Sequence, residues 1–438
     1  MSRGRALGLG LAALAAAGWA LAPPATLKVS GDARDPTPWR ALDADAHARF
    51  ALGHAVFNTA WRPTGQGSGR RDGLGPVFVA QSCDACHNSR RRGRGPLTEG
   101  TLPTDMVVQV GTRRADGTFL RGHPRFGQVI NPGAVEGARP EAQVSVHFET
   151  LPYARPDGSH VSLQVPHYHV EMGDEERLAD DLVLMPRIAP AVLGTGLLER
   201  IPVAAIAEAA AHAPARVRGR IAWRETSAGR EPGRFGWQAT EPSVASQTAV
   251  AFAREMGLSN PLHGAIDCAA SDQACLSAPT GGDPEVAADL FAAVVAFQQD
   301  EAMRRTPTAA ARLARNPGQA RVFARIGCAD CHRPAMPTID GGMIAPYTDL
   351  LLHDLGPGLA DRDLAGRAMP SRWRTAPLWG LSVSAENGRA LRLLHDGRAR
   401  SIEEAIAWHR GSASAARRRF DALSADQRQA LLDWIAAL

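Results

Sequence analysis

Apolar residues return every three or four positions in six stretches of this chain, and each such stretch predicts a helix. They are DADAHARFALGHAVFNTAW (43–61), IPVAAIAEAAAHAP (201–214), EPSVASQTAVAFAREMG (241–257), DPEVAADLFAAVVAFQQD (283–300), NPGQARVFARIG (316–327) and SADQRQALLDWIAAL (424–438). Punctuation supports the pattern. Pro317 stands at a helix start, Asp283-Pro284 offers an N-cap followed by a first-turn proline, and Ser424 offers another N-cap. In NPGQARVFARIG, Ala320, Val322, Phe323 and Ile326 share the apolar face; at the C-terminus it is Leu431, Leu432, Ile435 and Leu438. Two stretches alternate instead. QVSVHFETL (143–151) and HVSLQVPHYHV (160–170) read as strands joined by the turn signal Pro156-Asp157-Gly158.

The first residues differ from all of these. Arg3 and Arg5 precede an unbroken apolar run from Ala6 to Ala22, the pattern of an export signal, with Gly18-Trp19-Ala20 as the better small-x-small cleavage site. Left uncleaved, residues 1–25 would be an N-terminal anchor, the only membrane attachment the sequence offers. Either way the body is expected in the periplasm, an oxidising compartment.

Of the 438 residues 45% are apolar, enough for two or three ordinary domains. A formal charge of +4 without a basic stripe among aromatics gives no reason to expect a nucleic-acid partner. Lys28 is the only lysine, which excludes a Schiff-base lysine from the body of the protein.

The six cysteines change the picture most. Cys83 and Cys86 precede His87 in CDACH, and Cys328 and Cys331 precede His332 in CADCH. A zinc ribbon would bring two such pairs within about 15–20 residues, and it needs no histidine at that position. A thioredoxin-like pair would want a βαβ context. Covalent haem c does need this order: two thiols form thioethers to the porphyrin and the next residue carries its imidazole to the iron. Two haems c are therefore expected, with Cys83, Cys86, Cys328 and Cys331 as attachment residues and His87 and His332 as proximal ligands. Cys268 and Cys275 have no following histidine and read as a loop-closing disulfide.

The expected fold is mainly α, with two cytochrome c-like haem domains. The first covers 35–303 and is enlarged by a β-containing insertion (about 100–235); the second covers 304–438, with the boundary around Arg304 to Pro307.

Longer stretches carry a family resemblance: DGLGPVFVAQSCDACH, PRIAPAVLGTGLLERIP, GRFGWQATEPSVASQTAVAFAREMG, PYTDLLLHDLGPGLAD, WRTAPLWGL and LLHDGRARSIEEAIAWHRG. Together they resemble the bacterial di-haem oxidoreductases, also labelled thiol oxidoreductase-like. These are related to the di-haem cytochrome c peroxidases and to the di-haem enzyme of methylamine utilisation. The resemblance implies one haem for catalysis and one for passing electrons. Two departures stand out. An acidic element that usually follows the first site is replaced by NSRRRGRG, and where the peroxidases keep a methionine ligand this chain has Arg372, with Met369 nearest.

What occupies the far side of each iron decides function, since an open site admits peroxide and a second strong ligand makes an electron carrier. For the second haem the candidates are Met336, Met343, Met369, His353 and His395, with Met369 favoured by the resemblance and the two histidines read mainly as orienting or propionate-binding groups. For the first they are His123, His147, His160, His167 and His169, with His123 and Gln128 taken as the peroxide-facing pair. Arg90, Arg91, Arg92 and Arg94 could pair with haem propionates or meet an acidic donor. Trp237, Trp373 and Trp379 could bridge the haems or serve as core. The expectation is a peroxidase-type di-haem enzyme that takes electrons from a small donor protein, of cytochrome c or cupredoxin type, through the C-terminal haem. It passes them to the N-terminal haem, where an oxidant such as hydrogen peroxide is reduced. The rivals are a di-haem electron carrier and an accessory redox protein for metal uptake or thiol oxidation. No calcium loop is recognisable.

Overall fold

The computed structural model describes residues 44–66, 70–89, 91–173, 178–305, 316–385 and 390–438. The N-terminal apolar run, Lys28, Arg90 and Pro307 lie outside them.

The helix Ala44–Asn58 lies along Ala288–Arg305, and Gly53 is the residue that permits the approach. A Cβ there would stand 2.1 Å from the Ala293 carbonyl oxygen and 2.7 Å from Phe297 Cβ. Phe50 and Phe57 close over Phe297, with ring centroids 5.0 and 5.3 Å apart. Gly53→Ala is therefore expected to destabilise by about 1–3 kcal/mol, because the obstacle is backbone that cannot rotate away; a lowered thermal midpoint in calorimetry checks it. The second of these helices begins at Ala288, later than the Asp283-Pro284 signal suggests.

Near the C-terminus, Pro317–Arg325 packs against Ala425–Ala436. Phe323 meets Trp434 at 5.4 Å and Tyr347 at 5.9 Å, three aromatic rings in one buried cluster. Ser424 caps the last helix as its sequence suggests, and Gln427 returns the bond to the Ser424 N–H, so two otherwise orphaned donors are satisfied.

The mainly-α expectation is overturned. Helix accounts for 31% and strand for 22%, in six small sheets. One part of the strand content was legible. Gln143–Ala154 and His160–Glu171 form a twelve-pair antiparallel hairpin, with Arg155 N bonded to Ser159 O at its turn. The other part was not. Met106–Arg113 pairs with Leu182–Ile188 at the centre of a five-stranded sheet. Leu182–Ile188 is buried at every position, so its sequence LVLMPRI shows no alternation to read. Two residues far along the chain, Arg362–Asp363, add to its edge. Residues from both sides of position 304 thus build one sheet. Among the described residues no helix is long and apolar enough to cross a membrane.

Candidate haem cavities and their shared wall

Each CxxCH segment opens onto its own cavity, of about 210 Å³ at the first and about 180 Å³ at the second. At the first, Cys83–His87 is a single helical turn. Ser82 caps it by accepting from Ala85 N–H, and Asn88 ends it in the left-handed region. Cys83, Cys86 and His87 all line the cavity. At the second, the left-handed Gly327 starts the turn Cys328–Asp330, and His332 N–H bonds Cys328 O at 2.9 Å. Cys328, Cys331 and His332 line that cavity. The four thiols are unpaired with one another, while Cys268 and Cys275 form the expected disulfide.

Both proximal histidines are oriented in the same way. His87 Nδ1 lies 2.8 Å from Pro190 O, and His332 Nδ1 lies 3.0 Å from Tyr347 O. A carbonyl can only accept, so Nδ1 carries the proton and Nε2 keeps its lone pair for a metal. Burial pulls both rings below the usual imidazole range, and burial together with the neighbouring His409 takes His332 to about 4. Both are neutral at pH 7, the form that ligates. The residues therefore fit two haems: a cavity, two thiols and one oriented imidazole in each case.

A wall common to both cavities separates them. Arg92, Trp237, Arg374, Ala376, Pro377 and Leu381 line each of the two. Trp237 donates from Nε1 to Ile188 O at 2.9 Å, and the Arg92 guanidinium lies 5.1 Å from its ring centroid. Among the described residues the Arg92 guanidinium bonds only Leu394 O, and the Arg374 guanidinium only Gly236 O and Thr375 O. No carboxylate among the described residues lies within ion-pairing distance of either. Burial, aided for Arg92 by Arg374, draws both guanidiniums down to about 10. Two desolvated cations without a directly ion-paired carboxylate mark a place where anionic groups belong, and haem propionates have that chemistry.

The two cavities differ in what faces the metal position. Among the described residues His87 is the only histidine at the first. Its other polar lining includes Gln109, Gln247, Arg254 and Glu255. Gln247, Ala251 and Glu255 fall four apart on the helix Val244–Glu255, whose start is fixed by a capping box between Ser243 and Ser246. Burial raises Glu255 to about 7, opposed by the adjacent Arg254. The one methionine lining this cavity, Met256, packs in an apolar cluster with Phe57, Trp61 and Phe252. At the second cavity four histidines are present: His332, His353, His395 and His409.

Several residues singled out in the sequence are elsewhere. His123 sits in a tight turn with its ring 5.5 Å from Phe126, and Gln128 N–H bonds Asp267; neither lines a cavity. Alternation explains the second case: Val129 points into the first cavity, so Gln128 points away, and Val129's neighbour across the sheet, Gln109, is a glutamine that reaches it. His147, His160, His167 and His169 lie on the hairpin, outside both cavities. His147 and His167 pair with Glu99 and Glu149 there. Met369 packs on Val183 and Met185, Met336 sits in another apolar cluster, and Met343 is exposed, so none of the three lines the second cavity. Arg94 binds Asp105. Trp379 belongs to the first cavity and Trp373 to the second; only Trp237 touches both. Glu255, Gln247, Arg374 and His409 were missed. The four-residue spacing of Gln247, Ala251 and Glu255 was the available signal, but spacing names a face without saying what the face meets.

A family model described as "Di-haem oxidoreductase, putative peroxidase" matches residues 134–438. That span includes Trp237, Glu255, Arg374 and the second CxxCH. No curated protein and no solved structure matches the chain.

Proposed function

The chain belongs to the di-haem oxidoreductase family, and on that footing we propose that it is an exported di-haem c peroxidase. In this reading Cys83 and Cys86 attach the first haem and His87 ligates it; Cys328, Cys331 and His332 do the same for the second. When bound, the haems supply an iron at which a peroxide bond can be cleaved and a second iron that relays single electrons. The observation that carries the reading is the difference between the cavities. The first offers one imidazole and a proton-exchanging carboxyl, whereas the second is crowded with imidazoles.

The protein's own groups then divide the work. Glu255, poised near neutrality, takes a proton from the nearer peroxide oxygen and delivers it to the departing one. Gln247 and Gln109 offer amide hydrogens toward the oxygen that gains charge. One hydrogen peroxide, two electrons and two protons give two waters. The electrons come singly from a small cytochrome c or cupredoxin-type donor at the second cavity and cross the wall that holds Trp237. Arg92 and Arg374 would hold the propionates. The Cys268–Cys275 disulfide supports a location outside the cytoplasm, with the N-terminal run as signal or anchor.

The test is spectroscopic. A pyridine haemochrome assay should read two haems c per chain. The half-reduced protein should show a high-spin signal from the first haem, together with peroxide turnover. Two low-spin haems in every redox state, inert to peroxide, would leave an electron carrier in place of an enzyme.

A further inference from the structure

The sixth ligand of the second iron is the position that the sequence left most open, and the four histidines at the second cavity are not equivalent. His353 is held through Nε2, which lies 2.9 Å from Asp349 Oδ2, and its Nδ1 lies 3.8 Å from Cys331 Sγ, beside an attachment thiol. The ring of His395 lies flat on Trp373, 3.8 Å between centroids at 13°, with Nε2 3.8 Å from Asp396 Oδ2. His332 and His409 differ from these and resemble each other. His409 Nδ1 lies 2.6 Å from Ala405 O, which fixes the proton on Nδ1 as Tyr347 O does for His332. Its Nε2 has no hydrogen-bond partner among the described residues, and the ring lines the cavity.

His409 is also rigidly placed. It follows the helix Ile402–Ala407, which Ser401 caps through Glu404 N–H. Glu404 is buried and holds Arg400 at 2.9 Å and Gln164 N–H at 2.7 Å. The preceding Trp408 is buried beneath the Arg398 guanidinium, 4.9 Å from its centroid. A ring on so fixed a support, with its proton set by its own main chain, is organised as a ligand is. Among the described residues no methionine lines this cavity.

We infer that His409 Nε2 is the sixth ligand of the second haem iron, making that haem bis-histidine. This rests on the di-haem reading above. It explains how the chain manages without a methionine where the peroxidases keep one. Histidine in place of methionine lowers the potential of a c-type haem, so the second haem is a low-potential relay.

The experiment uses a Cys83→Ala/Cys86→Ala background, in which covalent haem is confined to the second site, beside the wild-type holoprotein. With His409 intact, electron paramagnetic resonance and near-infrared magnetic circular dichroism should report a low-spin iron with two nitrogen ligands. The methionine-to-iron charge-transfer band should be absent. His409→Ala should convert this haem to high spin and open it to carbon monoxide, and added imidazole should restore the low-spin spectrum. His409→Met should introduce the methionine band and raise the midpoint potential. That second variant keeps the iron six-coordinate, so it serves if the alanine form folds poorly. An unchanged low-spin spectrum in both variants, or a methionine band in the unaltered protein, overturns the assignment alone. Fewer than two haems in wild type overturns the di-haem reading and the assignment with it.

Discussion

Replacing Cys83 and Cys86 together by alanine is expected to lower covalent haem from two per chain to one and to bring peroxide turnover down to background. The expected size follows from what the two thiols do. They sit on one helical turn that lines the cavity, and no other cysteine among the described residues lines it. Their burial also speaks against one rival use of a cysteine pair, a reactive redox couple. Burial raises Cys83 to about 12, and burial with the nearby Glu255 raises Cys86 well above the thiol range. A reactive redox pair wants the opposite, a thiol easily ionised. Cys328 is raised as well, mainly by burial, to about 12, and burial raises Cys331 beyond the thiol range. Haem staining of the denatured protein and the haemochrome ratio measure the result. The reciprocal change, Cys328→Ala/Cys331→Ala, should also leave one haem but end donor-driven turnover by cutting the supply of electrons. Two covalent haems surviving the first change would refute the attachment.

The next largest effect is expected at Glu255. Glu255→Gln keeps the shape and removes the exchangeable proton, and it should slow peroxide reduction by about 10²–10³-fold without changing haem content. The pH dependence gives a second readout. Glu255 accepts a proton only when ionised, so wild-type turnover should rise as pH passes through about 7 and the glutamine variant should lose that rise. The sign for stability runs the other way. A carboxyl whose folded pKa is raised holds its proton where the unfolded chain has already released it. Stability therefore declines as pH climbs from the ordinary carboxylate range to about 7, and Glu255→Gln should flatten that decline in denaturant titrations of the haem-free protein. Equal turnover in both proteins at every pH would remove Glu255 from the chemistry.

Neither residue set was equally visible beforehand. CDACH and CADCH are legible because the chemistry proposed for them is local: five consecutive positions would carry all of it. The cap at Ser424 and the hairpin turn at Pro156 to Gly158 are legible for the same reason. His123 and Gln128 were chosen by nearness along a resembling stretch, and strand alternation turns Gln128 away. Glu255 lay in plain view within a correctly read helix. Nothing local says that its face meets the haem-bearing turn 170 residues earlier in the chain.

The sequence by itself thus determined that this chain has two CxxCH turns, a disulfide between Cys268 and Cys275, and the helices on which each turn depends. Tertiary structure alone decided three things. The fold carries far more strand than the helical patterns implied, because strands buried on both faces lose the alternation that would announce them. One wall serves both cavities, because Arg92, Trp237 and Arg374 come together only when segments more than a hundred residues apart are packed. And the first cavity receives Glu255 while the second receives four imidazoles, because a helix's period states which residues share a face and only packing states what that face encloses.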